Sequence, residues 1–484
     1  MNIVWIALDT QRADHLHCYG YPRQTSPNLD ALAAEGALFE QYISCSAHTT
    51  PAFTSMFTGQ EAFHHGVIAT LHASYHEPRM RLNGETITLA EALYVNGWVT
   101  TAFDTMMNFR ARPGWFGRGW HTYTNVVPPN KSQCSQELGC EHVNRTLLPA
   151  IRRMAGAIRP MDRDANNFLF VHYWDPHQPY NPPEPWLGTF DRSLSDLREI
   201  TSPGGTPWLL GAGPKQALAE SEHARESVCR HNEELLRVDH AVGQVIEALR
   251  EVGMYDDTLI IVNADHGDDM LEHHSNFEHR EVYEHCIHLP LIVKPAASMD
   301  GMPAPGARIP ALASHADLMP TVLEAAGAGW RMGPLGCSYD PLVLDMDGHS
   351  LLPLLRGEVE AVRDVVISVG SYLRWDDLYR CVEIGARDLR QKLIVRATVP
   401  PGSYTNVECT GMTQRDRRTR EGVWFADLPR AELLDLDEDP SETVSYLAQR
   451  PEVARRLYDA ALPCMASHLY LGEPPALAEL LAGL

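Results

Sequence analysis

Basic side chains are scarce in this sequence, 40 against 63 acidic ones, for a formal charge of −23 over 484 residues. Nonspecific binding to a nucleic-acid backbone needs a basic face, so that partner is not expected. A small anionic substrate is not excluded, because a metal or a few local cations reverse the field inside a cleft. Apolar runs of about 18 residues or more are missing too, and no membrane span is expected. The opening Met1-Asn2-Ile3-Val4-Trp5-Ile6-Ala7-Leu8-Asp9 has neither a basic leader nor a small-residue cleavage site, which points to a cytoplasmic location. The 10 cysteines follow no regular spacing; Cys134 and Cys140 are the closest pair, and neither resembles half of a zinc ribbon. Free thiols in a reducing compartment fit that scatter. Internal repeats and low-complexity tracts are also absent.

What is present suits a large globular protein. Hydrophobic residues make up 44 %, enough for a big core, and the length exceeds what one core usually organises. One large domain, residues 1–364, and a smaller α+β unit, residues 365–484, are expected. Ile3 to Leu8 reads as a buried strand ending in an acid. Leu29, Leu32 and Ala33 keep helical spacing before Gly36, and Ile87 to Val95 repeats the pattern before Asn96-Gly97. Val99 to Phe103, Asn167 to Tyr173, Thr258 to Asn263 and Leu289 to Val293 read as strands, and Glu233 to Glu251 as a long amphipathic helix. Such alternation predicts an open α/β sheet, whose ligands bind beyond the carboxyl ends of its strands. In the smaller unit Val365 to Val369, Lys392 to Ala397 and Val423 to Ala426 look like short strands, followed by helical stretches.

Polar residues gather past those strand ends. Asp9 follows the first strand, and Asp265-His266 a much later one. Thr49 lies in Ser46-Ala47-His48-Thr49-Thr50-Pro51, just before the helical run Phe53 to Phe57. Two carboxylates and an imidazole make a reasonable ligand set for Mn²⁺ or Zn²⁺. A hydroxyl at a helix start meets free backbone N–H groups and the positive end of the dipole, which favour an anion. Each residue alone reads as a turn or cap. Their order carries the argument.

That order resembles the sulfatase family along nearly the whole chain. The opening, Asp9-Thr10-Gln11-Arg12-Ala13-Asp14-His15-Leu16 with Cys18-Tyr19-Gly20 and Ser26-Pro27-Asn28-Leu29-Asp30, looks like that of a sulfatase. Thr49-Thr50-Pro51 with Ser55, Thr58-Gly59 and His65-Gly66-Val67 is similar to the nucleophile segment. Asp175-Pro176-His177-Gln178-Pro179-Tyr180 resembles the central substrate-binding turn, and Asp265-His266-Gly267 with Tyr283 and Leu289-Pro290-Leu291-Ile292 the second metal motif. Asp347-Gly348-His349-Ser350-Leu351-Leu352 and Glu432 to Pro440 look like C-terminal landmarks. The resemblance implies an alkaline-phosphatase-like fold: a large mixed, mostly parallel sheet flanked by helices, with a small C-terminal α+β subdomain.

Two departures matter. Sulfatases carry Cys-x-Pro-x-Arg, whose cysteine becomes formylglycine; here Thr49 stands for the cysteine and Phe53 for the arginine. Cys45 does not substitute, since Ala47 takes the place of the proline, so no formylglycine forms. A formylglycine hydrate sheds sulfate by collapsing to the aldehyde, a route closed to threonine. A threonine ester must be opened by attack at the central atom, as phosphorus allows. Nucleotide pyrophosphatase/phosphodiesterases look similar here, with Thr-x-Pro and a following Thr-Gly. Thr10, moreover, replaces the second aspartate of the sulfatase opening, which favours a transition-metal site over calcium and resembles phosphonate monoester hydrolases.

The resemblance therefore implies a metal-dependent hydrolase of phosphate diesters or phosphonate monoesters acting through phosphothreonine on a small anionic ester. Alternatives are a sulfate-ester hydrolase, a phosphoryl-group transferase and a catalytically inactive binding protein. Asp9, Thr49, Asp265 and His266 would hold the metal, one ion being favoured over two. His177 would protonate or hydrogen-bond the leaving oxygen, or else only tie down its turn. His279, near the place of a sulfatase lysine, would hold phosphoryl oxygens or ligate a second ion. Arg12 would contact the substrate anion or pair with Asp14, and Asn108 falls near a substrate-pocket segment. Leu471 to Leu484, broken by Pro474-Pro475, would pack on a second subunit or on its own domain.

Overall fold

The computed structural model describes residues 1–68, 82–106, 114–126, 139–155, 166–192, 222–270, 272–273, 277, 279–328, 344–371, 381–398 and 429–467. Its larger sheet contains β1 (Asn2–Leu8), β2 (Ala37–Ile43), β3 (Val99–Asp104), β4 (Thr122–Asn125), β5 (Asn167–Tyr173), β6 (Thr258–Ala264), β7 (His288–Leu289), β8 (Leu291–Lys294) and β9 (Ala307–Ser314). The order runs β4-β3-β5-β1-β6-β8-β2, with β7 and β9 also pairing with β2. Pairing is parallel from β4 through β6 and antiparallel around β8. This is the large, mostly parallel sheet that the resemblance implies.

Helices cover both faces because the strands are apolar on both. The main ones are α1 (Pro27–Glu35), α2 (Thr49–Thr58), α3 (Leu89–Val95), α4 (Cys140–Ala155), α5 (Glu222–Glu251), α6 (Leu318–Ala325) and α7 (Pro451–Ser467). Successive residues of a strand point to opposite faces. Ile3, Trp5 and Ala7 of β1 accordingly join one core with Phe53 and Phe57 of α2, Leu89 of α3 and Met319 of α6. Val4, Ile6 and Leu8 join the other, with Leu29 of α1, Val143 of α4 and Val242 of α5. Continuous apolar runs are the mark of such a doubly covered parallel sheet.

The smaller sheet is antiparallel, in the order β10 (Val366–Ser371), β11 (Cys381–Arg387), β12 (Gln391–Thr398), β13 (Ala431–Asp435), with α7 packed on it. Ile43, Val282 and Ile287 meet Val366, Ile394 and Leu434 where the two sheets join. Several expectations shift. The strand predicted over Leu289 to Val293 is broken at Pro290, which lacks the donor a ladder needs. The helix predicted from Glu233 starts at Glu222. Val423 to Ala426 and Leu471 to Leu484 lie outside the described residues. Among the described residues no helix is long and apolar enough to cross a membrane.

Buried imidazoles give this core a pH limit. His15 stacks on Tyr21 at 4.6 Å and lies 3.0 Å from Asn232 Oδ1, and burial pushes its pKa down to about 4. Burial likewise brings His315, 3.1 Å from the Ala264 carbonyl, to about 3. Both titrate near 6.5 when unfolded, so below that pH the unfolded chain binds more protons. Their contribution is complete above about pH 6.5 and fades as pH falls toward 4 and then 3. The urea midpoint should fall between pH 7.5 and 4.5, and His15→Gln should flatten that decline.

Candidate active site

Three neighbouring parallel strands deliver the polar groups. Leu8 is in register with Tyr173 on one side and Ala264 on the other. The next residues of β1 and β6, Asp9 and Asp265, therefore emerge side by side at the carboxyl edge, both fully buried. Thr10 holds them there: its N–H donates to Asp265 Oδ1 at 3.1 Å and its hydroxyl to Asp9 Oδ1 at 2.7 Å. To do so Thr10 adopts φ 58°, left-handed backbone that a β-branched residue rarely takes. Such strain costs about 1–3 kcal/mol and persists where the surroundings over-determine it.

His266 completes the group. Its Nδ1 donates to the Gly267 carbonyl at 3.0 Å, which turns the Nε2 lone pair inward. Burial holds its pKa below the usual value, so the ring is neutral, as a ligand must be. Ligand atoms of Asp9, Asp265 and His266 all lie within 4.8 Å of one another. Asp265 Oδ2 accepts no hydrogen bond among the described residues, and Asp9 Oδ2 lies 3.4 Å from His172 Nε2. Burial and the Asp9 charge push the Asp265 carboxyl well above its ordinary pKa. Two buried carboxylates and one neutral imidazole converge on a common point, and a divalent cation fits them in charge and donor type.

Thr49 opens α2, with His48 as the residue before the helix. Its hydroxyl lies 3.1 Å from His266 Nε2 and is half-buried, whereas Thr50, Pro51 and Phe53 are buried. Phe53, in the sulfatase arginine position, is a core residue: it meets His172 edge-on at 5.2 Å and Phe170 at 6.0 Å. Cys45 is fully buried, 3.0 Å from Ser314 Oγ.

The remaining predicted residues divide. His177 lies 6.4 Å from His266 between ring centres, stacked on Trp174 at 4.0 Å. Its Nδ1 donates to the Gln178 carbonyl at 2.6 Å, and burial lowers its pKa. Asp175 anchors that turn through Arg237 at 2.9 Å and the Cys140 N–H at 2.8 Å. His279 stacks on His266 at 4.0 Å and stands 5.1 Å from His177, its pKa pushed well down by burial and the neighbouring imidazoles. Arg12 is buried and engaged elsewhere: Nε meets Asp14 at 2.8 Å, Nη2 meets Glu272 at 2.7 Å, and Nη1 donates to the Asp268 carbonyl at 3.0 Å. Its geometry is that of the ion pair with Asp14, not of a substrate contact. Asn108 lies outside the described residues.

Four neighbours escape sequence reasoning. His48 faces His279 at 5.9 Å. Asp268 accepts from His279 at 2.9 Å and from the Tyr180 hydroxyl at 2.6 Å, tying the turn that carries His177 to the segment that carries His279. His172 stands between Asp9 Oδ2 at 3.4 Å and Asp104 Oδ1 at 3.3 Å, all three fully buried. Burial alone would lower the pKa of His172, but Asp104 and Asp9 outweigh it and push it up to about 9. His48 adjoins Thr49 and Asp268 directly follows Gly267, so both carry a signal in the sequence; Asp104 and His172 are joined to the site by tertiary contacts.

A carboxylate–imidazole pair behind a ligand fixes the ligand's orientation. Asp104→Asn should weaken metal affinity by about 10–100-fold with the fold intact, as read by competition with a chelator. Unchanged affinity would remove Asp104 from that role.

The Sulfatase family model matches residues 1–328. This chain belongs to the sulfatase family. That places it among the metal-dependent ester hydrolases of the alkaline phosphatase superfamily. Human arylsulfatase A is 25 % identical to this sulfatase-family chain over 508 aligned residues, covering 98 % of it and 92 % of the relative. Among solved structures, the phosphonate monoester hydrolase of Agrobacterium radiobacter superposes with TM-score 0.68 at 20 % identity, over 97 % of this chain and 96 % of the other. The 2-O GAG sulfatase BT1596 superposes with TM-score 0.65 at 17 % identity, over 98 % and 95 %. These structural likenesses concern the fold alone.

Proposed function

We propose that this sulfatase-family enzyme hydrolyses a monoanionic phosphorus ester, a phosphate diester or a phosphonate monoester, through a covalent adduct on Thr49. The observation that carries the reading is the Thr49 hydroxyl at the start of α2, 3.1 Å from His266 Nε2 and beside the Asp9–Asp265–His266 group. A Mn²⁺ or Zn²⁺ ion held by Asp9, Asp265, His266 and Thr49 would polarise a nonbridging oxygen and lower the pKa of the hydroxyl. Thr49 gives up its hydroxyl proton to solvent and forms a bond to phosphorus in line with the departing alkoxide, and the P–O bond to that alkoxide breaks. His177 presents its Nε2 side to the leaving oxygen and, when protonated, hands over a proton. Water then attacks phosphorus and the Thr49–phosphorus bond breaks, returning the hydroxyl.

The charge balance supports a monoanion. Imidazoles of His48, His177, His266 and His279 cluster here, with Phe53 in the arginine position and Arg12 bound to Asp14 and Glu272. Among the described residues, the two carboxylates of the ligand group offset a divalent ion, which favours one negative charge on the substrate over two.

Sulfate-ester hydrolysis is the second reading, favoured by the likeness to arylsulfatase A over 98 % of the chain. Purified enzyme with its metals quantified should be assayed on matched aryl phosphate, phosphodiester, phosphonate and sulfate esters. A phosphodiester or phosphonate should lead by orders of magnitude. If the sulfate leads, threonine has a route for releasing sulfate and the proposal is wrong.

A further inference from the structure

Behind the catalytic turn lies a second group with the makings of a metal site. Asp269, Glu281 and His285 place one ligand atom each within 4.8 Å of the others, and all three side chains are buried. Asp269 follows the Asp265-His266-Gly267 turn by two residues, while Glu281 and His285 flank the start of the short helix Glu284–Ile287. That helix is fastened to the turn: the Gly267 N–H donates to the Cys286 carbonyl at 2.8 Å. A Cβ on Gly267 would meet the His285 carbonyl at 2.1 Å, so only glycine permits the approach.

His285 also falls in a group with His273 and Glu442. There a cation is already in place, since Lys392 Nζ lies 2.5 Å from Glu442 Oε1. Asp269 and Glu281 bring two buried carboxylates within 4.8 Å of each other and of the His285 imidazole. A divalent ion among them offsets two like charges, and the mixed oxygen–nitrogen set suits a cation of the Zn²⁺ or Mn²⁺ class. None of the three belongs to the Asp9–Asp265–His266 group.

We propose that Asp269, Glu281 and His285 form a second, structural divalent-metal site that braces the back of the catalytic turn. It is distinct from a second ion at Thr49, and it does not depend on which ester the enzyme hydrolyses. Through the short helix an ion there links the segment after His266 to β7, and so stiffens the strand end that carries Asp265.

Metal content read by mass spectrometry tests this directly. The Asp265→Asn/His266→Asn variant, stripped and reloaded with Zn²⁺ or Mn²⁺, should retain one equivalent. Adding Asp269→Asn and Glu281→Gln should remove it. Retention of no metal by the first variant, or no loss in the second, overturns the proposal. Should the second variant fail to fold, anomalous diffraction from the wild-type protein soaked in Zn²⁺ decides. A peak among Asp269, Glu281 and His285 supports the site, and its absence there overturns it.

Discussion

Thr49→Ala should lower kcat by about 10⁴-fold or more, the scale seen when a covalent nucleophile is removed, while the metal stays bound. The reason is local. Thr49 is the half-buried hydroxyl that opens α2 beside His266, whereas Ser44, Thr54 and Ser55 are committed to partners within the core. Thr49→Ser should restore much of the rate, because it keeps the oxygen and removes only a methyl group. Metal content must be measured alongside, since Asp9, Asp265 and His266 remain to hold the ion. Wild-type turnover in Thr49→Ala would show that water, not threonine, attacks the substrate.

Asp265→Asn should cost about 10³-fold or more, from loss of the several kcal/mol that a bound ion contributes to charge stabilisation. Its Oδ1 accepts from the N–H groups of Thr10 at 3.1 Å and His266 at 2.8 Å, contacts that an asparagine oxygen keeps. Oδ2 accepts no hydrogen bond among the described residues, so the amide changes chiefly the group aimed at the ion. The fold should survive and metal affinity should collapse. Chelation of wild type should reproduce the loss reversibly, with Mn²⁺ or Zn²⁺ restoring activity to wild type but not to Asp265→Asn. Chelator-resistant activity at full rate, with the metal shown to be gone, would contradict a metal-dependent reaction at this site.

Much of this arrangement is legible in the sequence, for a physical reason. β1, β5 and β6 are buried on both faces, so each reads as an unbroken apolar run, and the polar residue ending each run marks the sheet edge where ligands bind. Asp9, His177 and Asp265-His266 come from those three ends, and Thr49 from the helix start that faces them. β2 and β9 were harder to see. Glu40 and Gln41 interrupt the apolar pattern of β2, and Pro310 stands inside β9.

The contacts that support the site leave little mark in the sequence. Asp104 and His172, 68 positions apart in the chain, meet across neighbouring strands, and Asp268 joins two turns from distant segments. Arg12 shows the converse. Its type and place suggest an anion contact, but three partners from two segments claim its guanidinium, one of them Glu272 far along the chain.

The stereochemical course at phosphorus tests the central claim most directly. A chiral phosphorothioate diester hydrolysed in ¹⁸O-labelled water passes through two in-line displacements if Thr49 forms a covalent adduct, each inverting the centre. The account predicts net retention of configuration. Net inversion would mean a single attack by water and would contradict it.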